Sequence, residues 1–223
     1  MPNPKLPPPP IIYLITSGET NPASEDFERL RTLCEAAVAA RVSLIQLREK
    51  NLSARSLFEL SVGLARLTRG SDTRLLVNDR ADIARAAGAD GVHLTTRSLD
   101  PLIVRRAFGD DFLIGVSTHS LAEARAARDL GAADFATFGP VFDTPSKRAY
   151  GPPVGPDRLR EAARSLVPFP LVALGGITRA NAREALRAGA YGIAAIRLFD
   201  DAHALQEIVS TIRSGGGYDQ VVS

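Results

Sequence analysis

Cysteine is almost missing from this chain: Cys34 stands alone among 223 residues. A single thiol excludes an intramolecular disulfide framework and any thiolate metal cluster, and its place in an apolar helical stretch makes it core filler. Tryptophan is absent and aromatic residues make up 6%, too few to offer a stacking platform for nucleic acid. An excess of one charge is lacking too. Lys and Arg number 27 against 25 Asp and Glu, a net charge of +2, and the interleaving leaves no basic stripe, so any positive charge that matters must be local. Nothing approaches 18 uninterrupted apolar residues, so no membrane span is expected. The start, Met1 to Pro10, carries six prolines but no apolar core segment; it reads as an extended tail rather than a signal peptide, and a cytoplasmic location follows.

What is present is an alternation. Short β-branched runs change places with segments of Ala, Leu, Arg and Glu, which is the βα pattern. Strands are expected at Ile11 to Thr16, Ser43 to Arg48, Arg74 to Asn78, Gly91 to Leu94, Leu113 to Ser117, Phe135 to Phe138, Leu171 to Leu174 and Gly192 to Ile196. Helical patterns follow each of them: Phe27 to Ala40, Ala54 to Leu67, Asp82 to Ala87, Pro101 to Phe108, Leu121 to Leu130, Asp157 to Ser165, Ala182 to Ala188 and Ala202 to Ile212. The fold class is therefore α/β, a single (βα)8 TIM barrel over residues 11–213, between a Pro-rich N-terminal tail (1–10) and a flexible C-terminal tail (214–223). The rival, an open doubly wound sheet, usually has fewer strands. Ser120-Leu121-Ala122-Glu123 reads as a capping box, and Gly88, Gly131 and Gly189 stand where helices need a left-handed stop. The longest non-helical connection, Gly139 to Gly155, has the length and Gly/Pro content of a binding loop or lid.

Sites in such barrels lie at the C-terminal strand ends, with a recurrent phosphate site after strands seven and eight. Gly176 in Gly175-Gly176-Ile177 and Arg197 after the last strand suit phosphate, through backbone N–H groups and a guanidinium clamp. At the end of the second strand Gln46, Arg48 and Lys50 alternate with Leu47 and Glu49, so the period of two turns the polar trio to one side, and two cations with an amide suit a diphosphate. Glu49 is free to pair with a neighbouring cation. Asn78-Asp79-Arg80 ends strand three; Asp79 is a candidate Mg2+ ligand or a cap of the next helix. Thr144-Pro145-Ser146-Lys147 brings two hydroxyls and an ammonium from the long loop. His119, beside Ser117 and Thr118 beyond strand five, is a candidate acid or base. His93 and His203 read as structural or surface residues.

Together these segments resemble the thiamine phosphate synthase superfamily, whose other branch contains thiazole tautomerases. The resemblance runs from Tyr13-Leu14-Ile15-Thr16 to Arg197-Leu198-Phe199. Its signatures are Gln46 to Lys50, Asn78 to Asp82, Gly88 to Leu94, Ile114 to Ser120, Gly139 to Phe142, Thr144 to Lys147 and Ala173 to Ile177. It implies a transferase of thiamine biosynthesis that joins hydroxymethylpyrimidine diphosphate to a thiazole phosphate and releases pyrophosphate with Mg2+ as cofactor. By the same resemblance Gln46, Arg48, Lys50, Asn78, Ser117 and Lys147 bind the pyrimidine diphosphate, Asp79 binds Mg2+, and Thr144, Ser146, Gly176, Ile196 and the position of Arg197 hold the thiazole phosphate. The flanking Leu47, Glu49 and Pro145 fall within these binding segments, and Lys147, Arg48, Lys50 and His119 are the catalytic candidates. The implied partners are phosphorylated small molecules, not nucleic acid or membrane, with self-association left open.

Two positions depart from the synthase pattern. The second metal-binding aspartate of the synthases corresponds to Ser98, with Asp100 close enough in sequence to compensate, and Arg197 replaces a small hydroxylic residue. Ser98 and Val141 to Thr144 look more like the tautomerase branch, in which His119 would shift a proton to aromatise the thiazole. A third expectation is a thiazole-phosphate-binding protein without catalysis.

Overall fold

The computed structural model describes residues 6–20, 26–145 and 151–214. Among these, eight parallel strands close into one barrel in chain order: β1 (Ile11–Ile15), β2 (Leu44–Leu47), β3 (Arg74–Asn78), β4 (Gly91–Leu94), β5 (Leu113–Thr118), β6 (Phe135–Phe138), β7 (Leu171–Leu174) and β8 (Gly192–Ala195). The helices between them are α1 (Asp26–Ala39), α2 (Ala54–Thr68), α3 (Ala81–Ala87), α4 (Pro101–Phe108), α5 (Leu121–Leu130), α6 (Gly155–Leu166) and α7 (Ala182–Arg187), with α8 (Leu205–Ser214) last. Closure comes from β1 pairing with β8, Tyr13 standing opposite Ala194. The expected barrel is the observed one.

Alternation along each strand sorts side chains into two cores. Ile12, Leu14, Ile45, Leu47, Leu75 and Val77 face outward and pack against the helices. Tyr13, Ile15, Leu44, Leu76, Phe135 and Val172 fill the interior. Leu47 is therefore buried under the helical layer, so its side chain does not line a ligand site. The barrel is tight enough that some strand positions hold no side chain: a Cβ on Gly115 would sit 2.4 Å from the Phe135 ring and 2.8 Å from His93 Nδ1.

Helix ends follow their local chemistry. Ser53 caps α2 by accepting from Ser56 N at 3.1 Å, and Leu57, Leu60, Ser61, Leu64 and Thr68 repeat at helical spacing on its buried face. Gly88 and Gly131 adopt φ of 74° and 68° as left-handed caps of α3 and α5. The capping box at α5 is altered. Ser120 Oγ accepts from Glu123 N at 3.2 Å, but Glu123 Oε2 reaches one residue further, to His119 N at 2.8 Å.

The ends of the chain differ from the expected tails. Leu6 is buried and packs with the interior cluster, so the expected N-terminal tail is anchored at Leu6, whereas residues 1–5 lie outside the described residues. After β8 a single 3-10 turn (Arg197–Phe199) intervenes, so α8 starts at Leu205 rather than Ala202 and includes Ser214; residues 215–223 lie outside the described residues.

Candidate active site

Gln46 shows the result of the period-two pattern most directly. It points into the barrel, almost fully buried, and its Nε2 donates to the Tyr13 hydroxyl at 2.8 Å. Tyr13 Oη lies 3.2 Å from His93 Nδ1, and His93 Nε2 lies 3.0 Å from Ser117 Oγ. A polar line thus crosses the interior from β2 to β5. The rings of Tyr13, His93 and Phe135 pack around it, Tyr13 and Phe135 edge to face with centroids 5.7 Å apart. Burial lowers the His93 pKa to about 4 against an opposing pull from Asp79, and burial also pushes the Tyr13 phenol far up. Both groups are neutral at physiological pH.

The rest of the second-strand segment is held from below. Glu49, expected to meet a cation, is instead a buried acceptor for neutral donors: the Thr16 hydroxyl, Gly18 N at 3.3 Å and Thr20 N at 3.0 Å. Three bonds spend the carboxylate on the β1 loop, so its place is a clamp and not a ligand contact. Thr16 Oγ1 also accepts from Arg48 N at 2.8 Å. The clamp fixes the backbone that carries half-buried Arg48 and exposed Lys50, while the Arg48 guanidinium donates to Ser17 O at 3.2 Å.

Asp79 has φ 60°, a left-handed backbone that Asp tolerates better than most residues. Its carboxylate does not cap α3. Oδ2 accepts from Asn78 Nδ2 at 2.8 Å, and Oδ1 accepts from Ser98 Oγ, from Thr95 Oγ1 at 3.2 Å and from Thr95 N at 3.3 Å. Asp100 does not compensate for Ser98: it is the N-cap of α4, accepting from Leu102 N at 2.8 Å. Arg80 is engaged by Asp82 through two bonds, at 2.9 and 2.6 Å, and so turns away from the role of a free mouth cation.

Across the barrel the β6 and β7 loops lie together. Val141 N donates to Leu174 O at 2.9 Å and Phe142 N to Gly175 O at 3.0 Å. Gly175 and Gly176 have φ of 95° and 66°, and a Cβ on Gly176 would lie 2.5 Å from Asp143 O and 2.6 Å from Phe142 O. Asn181 closes the turn, donating to Gly176 O at 2.9 Å and accepting from Thr178 N at 2.8 Å. Ile196 is half-buried against the interior cluster, and Arg197 is exposed at the head of the 3-10 turn. Thr144 is half-buried and Pro145 exposed; Ser146 and Lys147 lie outside the described residues. His119 is exposed, with Nδ1 2.7 Å from Gly139 O, an acceptor that fixes the proton on Nδ1 and leaves Nε2 as the free lone pair.

The family model described as thiamine monophosphate synthase matches residues 12–199, nearly all of the barrel. The chain belongs to this family. Among relatives, a thiamine-phosphate synthase of Chloroflexus aurantiacus is 44% identical over 167 residues, covering 74% of this chain and 76% of the relative. One from Chlorobium limicola is 37% identical over 212 residues, covering 93% and 96%. Among solved structures, a thiamine phosphate pyrophosphorylase from Pyrococcus furiosus superposes with a TM-score of 0.78 at 33% identity, covering 96% of this chain and 98% of that one. Family membership agrees with the resemblance read from the strand-end motifs. Sequence reasoning passed over Tyr13 and treated His93 as structural. The available signal was Tyr13 alternating with Ile11 and Ile15 on the interior face, where a buried phenol must find a partner.

Proposed function

We propose that the protein is a thiamine phosphate synthase, a transferase that joins hydroxymethylpyrimidine diphosphate to a thiazole phosphate. The observation that carries this reading is the convergence of Gln46 and Ser117 on one polar line, with Asn78 and Asp79 at the adjacent strand end. In the reaction the C–O bond to the diphosphate breaks, pyrophosphate leaves with the electron pair, and the thiazole nitrogen forms the new C–N bond to the pyrimidine methylene. Such a step needs donors around the leaving group and no strong base. Arg48, Lys50, Asn78 and Ser117 are the proposed diphosphate contacts, with Lys147 reaching in from the long loop. Gln46 orients the pyrimidine; Gly176, Ile196, Arg197, Thr144 and Ser146 receive the thiazole phosphate.

Mg2+ fits the donor set. Asp79, Ser98 and Thr95 present one carboxylate and two hydroxyls, hard oxygen donors, and Mg2+ is commonly held by one or two carboxylates plus substrate phosphates. Bound there, the ion would neutralise charge on the departing diphosphate. No group of three or more His, Cys, Asp or Glu occurs among the described residues, so the substrate would complete the shell. The phosphorylated substrates do not cross membranes unaided, which is the reason to place the enzyme in the cytoplasm.

The deciding experiment incubates the protein with both phosphorylated halves, with and without Mg2+, and measures thiamine phosphate. The expected result is Mg2+-dependent product; folded protein giving no product above background would end the reading. The free Nε2 of His119 favours a second reading, tautomerisation of the thiazole. In that case aromatisation proceeds without metal, is lost in His119→Ala and survives Asp79→Ala.

A further inference from the structure

The line Gln46, Tyr13, His93 and Ser117 has a direction. The Tyr13 hydroxyl accepts the Gln46 amide N–H. Its own hydrogen then needs an acceptor inside the barrel, and among the described residues the remaining partner of that oxygen is His93 Nδ1 at 3.2 Å. Nδ1 must therefore be the bare nitrogen, which puts the imidazole proton on Nε2. Nε2–H points at Ser117 Oγ, 3.0 Å away. Ser117 spends a lone pair on His93 and has no other side-chain bond to a described residue, so its hydroxyl hydrogen remains to be given. No buried side-chain nitrogen or oxygen in the described structure lacks a partner, as a completed chain of this kind requires.

We infer that these four side chains form a one-directional hydrogen-bond relay that makes Ser117 a donor toward the mouth and thereby selects an acceptor-only group there, such as a phosphate oxygen. The inference rests on the proposed synthase reading for the identity of that group. Tyr13 and His93 are then positioning residues: they touch no ligand and act by setting the sense of the Ser117 hydroxyl. Gly115 belongs to the device, because its missing side chain leaves the room that the His93 and Phe135 rings occupy. If the Gln46 amide were turned, every bond would run the other way, Ser117 would donate inward, and the mouth would present lone pairs suited to an amine.

The first measurement is long-range 15N–1H correlation on the unsubstituted, unliganded protein. The expected result is His93 as the Nε2–H tautomer, with an unprotonated Nδ1; an Nδ1–H tautomer overturns the relay, whatever the protein catalyses. The second is a double-mutant cycle read by titration with inorganic pyrophosphate in the presence of Mg2+. Ser117→Ala and Tyr13→Phe are each expected to weaken binding, the first by roughly tenfold. Tyr13→Phe should add little once Ser117 is already alanine, because Tyr13 acts through it. Fully additive losses would overturn the claim that Tyr13 works through Ser117. If thiamine phosphate fails to form while His93 is the Nε2–H tautomer and the cycle is non-additive, the relay stands and the synthase reading falls.

Discussion

Ser98 lies against Asp79, and by the resemblance its position corresponds to a second aspartate of the synthases, so the proposed Mg2+ site would hold one carboxylate fewer. Restoring it should be visible without any turnover. In Ser98→Asp two carboxylates would face each other at hydrogen-bond range, which disfavours having both ionised unless a cation sits between them. The expected outcome is a protein less stable by about 1–2 kcal/mol in chelator whose thermal midpoint recovers on adding Mg2+, whereas the unsubstituted protein responds little. A variant indifferent to Mg2+ would show that position 98 does not face an ion site. Single residues were legible where a pattern constrained them: alternation along β2 turned Gln46 with the polar trio to one side, although Leu47, which faces the other way, was counted within the binding segment. They were illegible where one functional group serves several ends. Asp100 as a helix cap, Glu49 as a clamp and Asp79 as the proposed Mg2+ ligand are all carboxylates beside a strand end, and only the surrounding N–H and O–H donors separate them.

The turn between β7 and α7 works as a unit with the loop after β6, and its glycines are set by approach as much as by conformation. Gly176→Ala would force a left-handed alanine against two carbonyl oxygens at 2.5 and 2.6 Å. A loss of about 2 kcal/mol or more in stability is expected, with KM for the thiazole phosphate rising more than KM for the pyrimidine diphosphate; equal changes in both would remove this turn from the thiazole site. Element boundaries were readable because caps and hydrophobic period agree, as at Ser120 and Gly131. The 3-10 turn after β8 was not, since Ile196, Leu198 and Phe199 continue the apolar character of the strand and carry no breaker. At α5 the motif was right and one bond was not: Glu123 holds the backbone of His119, coupling the helix start to a candidate acid or base.

On the scale of the molecule, a neutral histidine locked inside the barrel links stability to pH. His93 titrates near 4 when folded and near the ordinary imidazole value when unfolded, so between these values the unfolded chain binds more protons. Stability should fall as pH drops from about 6.5 to about 4, by on the order of 3 kcal/mol from this residue alone. Denaturant titrations across that window in the parent and in His93→Gln check it: the variant should show a shallower acid slope, and identical slopes would assign the loss elsewhere. The closed topology itself was the most legible feature, because eight strand-like runs with intervening helices leave few other ways to cover every strand face.

Leu6 reaches the interior cluster from ahead of the first strand and joins Ile11 and Leu44 in it. It works as a stopper at the floor of the cylinder. A shortened protein starting at Ile11 would keep every strand and every residue of the mouth, yet its lower chamber would admit solvent. Faster deuterium uptake by the backbone amides of Tyr13 and Leu44, which pair across β1 and β2, would reveal the leak before any change in ligand affinity.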